Sequence, residues 1–144
     1  MTRINVHIRV KNLCREMLLA EHREIKRTPN KVGNGKYSLV GQPAEFCLGT
    51  GHEKFFYDKL LYLKKRYELL YSECISQGFN VEYYGNAWNN VPPHLMNDYK
   101  PTLRDRNLLV DRINERLESM QSKHLIKGRV EQIERLEQYK LLKS

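Results

Sequence analysis

The chain has 144 residues, enough for one domain with a real hydrophobic core. Hydrophobic residues at 40% and charged residues at 29% exclude a disordered chain, and no stretch reaches the roughly 20 apolar residues that would span a bilayer. Lysine and arginine total 25 against 17 acids, a net charge of +8, which favours a polyanionic partner, nucleic acid before a membrane surface.

The first residues, MTRIN, carry no signal-peptide core, because Arg3, Arg9 and Lys11 interrupt the apolar positions. The small second residue invites removal of Met1, which would expose Thr2 as a free α-amine. Such an amine has a reference pKa of about 7.7–8.0, so roughly a tenth is a neutral nucleophile near pH 7, able to form an imine with an aldehyde or a sugar's anomeric carbon. The segment VHIRV could pass for a short strand. Asn12 to Arg27 then reads as the first helix, with Asn12 as its N-cap and Pro29 beyond its end. Leu13, Met17, Ala20 and Glu24 share one face, so an apolar stripe ends in a carboxylate. Two readings stand: a helix-end Glu24 that reaches solvent or bridges to an arginine, or a general acid/base in a basic cleft formed by Arg3, Arg9, Arg15, Arg23, Lys26 and Arg27.

Residues 28 to 52 read as a long turn-rich loop, with turns at Asn34–Gly35 and Gly49–Gly51. The two glycines before a helix start are no GxGxxG phosphate cradle, and His52 reads as a cap or a packed ring. The second helix carries Phe56, Leu60, Leu63, Tyr67, Leu70 and Cys74 in one stripe and meets its cap at Gly78. A second turn-rich connection follows to Pro101. A third helix from Thr102 to Gln121 turns Leu109, Ile113, Leu117 and Met120 inward and sets Arg112 and Arg116 one turn apart off that face. After Gly128 comes a short charged amphipathic helix. The expected fold is all-α: a compact single domain, 1–144, of three main helices plus a C-terminal helix with long connecting loops. Cys14, Cys47 and Cys74 read as reduced thiols of an intracellular protein, and the five histidines lack metal-binding spacing, so no metal is expected.

MTRIN, LLAEHREIKR, NGK, FCLGTGHEKFFYDKLLYLKKR and ECISQGFN, in that order and spacing over about residues 1–80, resemble the pyrimidine-dimer DNA glycosylase/AP lyase family of the phage endonuclease V type. A weaker match continues to about Gln121. The resemblance implies an N-terminal arm packed between helices, bringing the terminal amine to the first helix. It implies Thr2 as nucleophile and Glu24 as catalytic carboxylate. It gives Arg3, Arg23 and Arg27 as DNA contacts on the arm and first helix, and Arg112 and Arg116 on the third. The implied reaction excises a damaged base, a pyrimidine dimer foremost, through an imine, then nicks the strand by β-elimination. The alternative is a non-catalytic DNA-binding protein that keeps the fold and basic groove. The implied partner is double-stranded DNA with a damaged or modified base, with no membrane and no cofactor. The chain is expected to be a cytoplasmic, nucleoid-associated monomer, in a host cell's cytoplasm if phage-encoded. Two features depart from the family: Glu16 and Met17 replace a Gln-His pair, and residues 122–144 replace an aromatic C-terminal segment with a charged helix that offers a pairing surface.

Overall fold

The computed structural model describes residues 4–6 and 8–123, excepting the side chains of residue 113 and residues 116–123. Five α-helices occur in this span: α1 (Arg15–Glu24), α2 (Arg27–Gly33), α3 (His52–Phe55), α4 (Leu60–Ser76) and α5 (Leu103–Lys123), with 3-10 turns at Val10–Asn12, Gly85–Trp88 and Pro93–Leu95. Among the described residues there is no strand. The segment that could have passed for one is an arm, turned once through Ile8 N–H to the Asn5 carbonyl at 3.3 Å. Ile4, Asn5, Val6 and Ile8 are all buried.

The first helix departs from expectation at both ends. Its N-cap is Cys14, because the 3-10 turn Val10–Asn12 occupies the residues before it, and Glu16 supplies the negative charge favoured in a first turn. After Glu24 the chain makes a short break at Ile25 and Lys26 and restarts as α2. Pro29 therefore lies within the first turn of a second helix rather than past the end of the first. A proline is tolerated there because first-turn N–H groups have no intrahelical acceptor to lose. The long loop accordingly starts after Gly33.

α4 follows the sequence pattern closely. Leu60, Leu63, Tyr67, Leu70 and Cys74 are fully buried, as is Phe56 just before the helix. Its end is a Schellman motif: Gly78 N–H reaches the Ile75 carbonyl at 3.0 Å and Phe79 N–H the Cys74 carbonyl at 2.9 Å. Gly78 takes φ +82°, a conformation that would strain a side-chain-bearing residue. α5 opens on a reciprocal cap, Thr102 Oγ1 accepting from Asp105 N–H at 3.2 Å and Asp105 Oδ2 accepting from Thr102 N–H at 3.1 Å. Arg104 ties this helix to the loop below through the Phe46 carbonyl at 2.8 Å. Leu109 and Val110 are buried as the third-helix stripe requires. The side chains of Ile113, Leu117 and Met120 and the C-terminal helix lie outside the described residues.

Two aromatic clusters fill the core. Phe46, His52, Phe55, Phe56 and Tyr99 meet edge to face at centroid distances of 5.1–6.1 Å. On the other flank of α4, the His22 ring lies 5.4 Å from Tyr67, 6.1 Å from Tyr71 and 5.2 Å from Tyr84. Burial holds the His22 pKa below 6.5, helped by the charge of Lys26 and opposed by a hydrogen bond with the Glu82 backbone. With a folded value below the unfolded one, the unfolded chain binds the extra proton as pH falls below about 6.5. Stability should therefore decrease between pH 7.5 and pH 5.5, and His22→Phe should flatten that slope, as read by urea denaturation at the two pH values. An unchanged slope would discount His22 as the cause.

Candidate active site

The N-terminal arm is held at three points. Asn5 Nδ2 donates to Glu21 Oε1 at 2.7 Å. Glu21 in turn takes a bidentate fork from Arg66 on α4, Nε to Oε2 at 2.7 Å and Nη2 to Oε1 at 3.0 Å. The same guanidinium donates from Nη1 to the Ile8 carbonyl at 2.6 Å. Both charged side chains are withdrawn from solvent, Arg66 at 7% and Glu21 at 1% exposure, so the pair exists only because each neutralises the other. The third point is His52, whose Nε2 accepts from the Ile4 N–H at 2.8 Å.

The buried carboxylate of α1 is thus Glu21, and the apolar stripe does not run through Glu24 as the helical wheel suggests. Met17, Leu18, Glu21 and His22 form the buried face, with Ala20 partly buried beside them. Glu24 lies one turn further along α1, displaced about 4.5 Å in rise and 60° in azimuth from Glu21. Its side chain is 21% exposed and it pairs with Arg27 of α2 at 3.6 Å. The bridging geometry foreseen for a helix-end glutamate is present.

The basic residues divide. Arg23 and Arg27 are exposed, one on each side of the α1–α2 break. Lys31, one turn after Arg27, bonds Glu53 of α3 at 3.0 Å, and that bond raises its pKa. Lys26 and Arg15 leave the group: the Lys26 ammonium sits 3.5 Å from the Tyr84 ring centroid and the Arg15 guanidinium 5.7 Å from that of Phe79. Arg9 is exposed at the end of the arm and Arg112 is exposed on α5. Thr2, Arg3 and the Arg116 side chain lie outside the described residues.

Sequence reasoning missed Asn5, Glu21 and Arg66. A signal for two of them exists: Arg66 interrupts the apolar face of α4 next to Leu63, Tyr67 and Leu70, and Glu21 sits between Met17 and Leu18 one turn back. Opposite charges embedded in two apolar faces imply that the faces meet through them. All three cysteines are free thiols; Cys14 and Cys74 are buried, and burial pushes the Cys74 thiol up to about 11. Among the described residues no cluster of three His, Cys, Asp or Glu side chains could hold a metal, and no helix is long and apolar enough to cross a membrane.

Residues 1–84 match a family described as pyrimidine dimer DNA glycosylase. The match takes in the arm, α1–α4 and every residue of the three-point anchor. It covers more than half of the chain, and the chain belongs to that family.

Proposed function

We propose that this member of the pyrimidine dimer DNA glycosylase family is also an AP lyase, and that both steps run through the α-amine of Thr2 with Glu24 as the catalytic carboxylate. The observation that carries the reading is the docking of the arm: Asn5 is bonded to Glu21, one helical turn from Glu24. Thr2 precedes the anchored Ile4 by two residues, a reach of at most about 7 Å. Its amine is therefore on a short tether from an arm that is tied to α1 one turn from Glu24.

In the proposed reaction the neutral amine nitrogen attacks C1′ of the lesion nucleotide and the glycosidic C1′–N bond breaks, the base leaving with its electron pair and taking a proton. Ring opening gives a C1′ imine. Loss of a proton from C2′ then expels the 3′ phosphate, cutting the strand. Glu24 stabilises the cationic sugar as the base departs and serves as the base at C2′. Arg23 and Arg27, both exposed beside Glu24, take phosphates of the strand by bidentate contact, joined by Arg3 from the arm. Arg112 and Arg116 extend the phosphate track along α5. The excess of eight positive charges makes the binding salt-dependent.

Borohydride reduction tests this directly. Incubated with DNA holding a single pyrimidine dimer or abasic site, the protein should become covalently linked, and peptide mapping should place the DNA on the residue-2 amine. A protein that releases the base with no trapped adduct would be a glycosylase working through water, and the imine reading would fall.

A further inference from the structure

The two ring nitrogens of His52 are both committed, and to different parts of the chain. Nε2 lies 2.8 Å from the Ile4 amide nitrogen and Nδ1 lies 2.8 Å from the Cys47 carbonyl oxygen. The amide can only donate and the carbonyl can only accept. The ring is thereby fixed as the neutral tautomer with its proton on Nδ1. Its faces and edges are packed by Phe46 and Phe56, both at right-angle geometry with centroids 5.3 and 5.4 Å away, and only 1% of the residue is exposed. It cannot swing aside without breaking the core.

The residues that follow His52 share its function. Glu53 accepts from Lys31 and Thr28 of α2 at 3.0 and 3.4 Å, and Lys54 donates to the Val40 carbonyl at 2.7 Å. One helical turn therefore holds the arm, the helix that carries Arg27, and the long loop, each through a different side chain. Gly51, just before it, is required: it adopts φ +92°, and a Cβ would come 2.9 Å from Pro43.

We infer that His52 is a positioning residue for the reaction, which sets the position of the terminal amine by accepting the Ile4 N–H two residues from it. The inference rests on the amine reading above. It separates His52 from residues that touch DNA, because a buried ring between the arm and the loop has no route to the substrate. The hydrogen bond acts on where the arm lies and not on how tightly DNA is held.

Two substitutions part the ring's functions. His52→Asn retains a donor at the Nδ1 position and removes the acceptor, whereas His52→Gln puts an amide oxygen near the Nε2 position. With His52→Asn, single-turnover imine trapping on abasic DNA should slow on the order of tenfold while DNA affinity stays within about twofold, and the Ile4 amide should lose its exchange protection. With His52→Gln both should recover most of the way to wild type. Unchanged trapping by His52→Asn, or equal losses in both variants accompanied by weaker DNA binding, would overturn the inference. If neither variant folds, nitrogen-15 spectra of the wild-type His52 ring decide: a proton on Nε2 overturns it, a proton on Nδ1 alone upholds it. Failure of the amine reading has a different signature, since wild-type protein would then trap nothing while Ile4 exchange still responded to His52→Asn.

Discussion

Glu24→Gln should lower base excision by about 10²–10⁴-fold while leaving the protein folded and bound to DNA. The two effects separate because of where Glu24 stands. Its side chain is part-exposed, and it pairs with a half-exposed Arg27 at 3.6 Å. Such pairs are worth about 0.2–1 kcal/mol, so the melting temperature should move by no more than a few degrees. Glutamine keeps the size and a hydrogen-bonding oxygen but loses the charge and the basicity that the proposed reaction asks of Glu24, at the electron-poor sugar and at the C2′ proton. Losing a negative charge from a face shared with Arg23 and Arg27 should also hold DNA affinity constant or raise it. Single-turnover excision on a defined thymine-dimer duplex, with a parallel titration of binding, checks both halves. An excision rate within threefold of wild type would remove Glu24 from the mechanism.

Arg66→Met should be the most destabilising of the substitutions considered, by about 3–5 kcal/mol, because it leaves the Glu21 carboxylate buried without the guanidinium that neutralises its charge. That is a large share of the roughly 5–15 kcal/mol by which domains are stable, and on a chain of this size it corresponds to a drop of about 10–20 °C in melting temperature. The substitution also deprives the Ile8 carbonyl of its 2.6 Å donor, so the arm loses one anchor directly and the ion pair that holds the acceptor of a second. The double variant Glu21→Leu/Arg66→Met should be more stable than Arg66→Met alone, since no charge remains to be neutralised. It should nonetheless excise poorly, because Asn5 has lost its acceptor and the arm its register. Chemical denaturation of the single and double variants measures the first expectation and imine trapping the second. A double variant no more stable than Arg66→Met would mean that Glu21 gains little from its ion pair.

How much of this was legible depended on whether one element or two supplied the information. α4 was readable because its apolar stripe recurs over four turns and Gly78 punctuates its end; each is a local property of the chain. The end of α1 was not readable. Pro29 is a stop signal inside a helix and a permitted residue in a first turn, and only the two-residue break at Ile25 and Lys26 decides which applies. Glu24 was singled out over Glu21 because a helical wheel centred on Leu13 places it within about 20° of the apolar direction. The true buried face is set by what α4 presents, including Arg66, and a wheel drawn for one helix has no knowledge of a charge on another. His52 reads as a cap or a packed ring, and it is the second; its bond to Ile4 spans 48 residues and leaves no trace in local pattern.

The sequence separations of the arm's anchors have a consequence for how the protein is made. The three bonds that hold the arm reach forward by 16, 48 and 58 residues, to Glu21, His52 and Arg66. A ribosome adds about 5–20 residues per second. For roughly 3–12 s of synthesis the partner that fastens Ile8 does not yet exist, and the arm cannot take its full set of anchors. An enzyme that trims initiator methionine acts on just such an end. The removal of Met1 that the proposed reaction requires would thus have time to occur before the last of the arm's anchors is made.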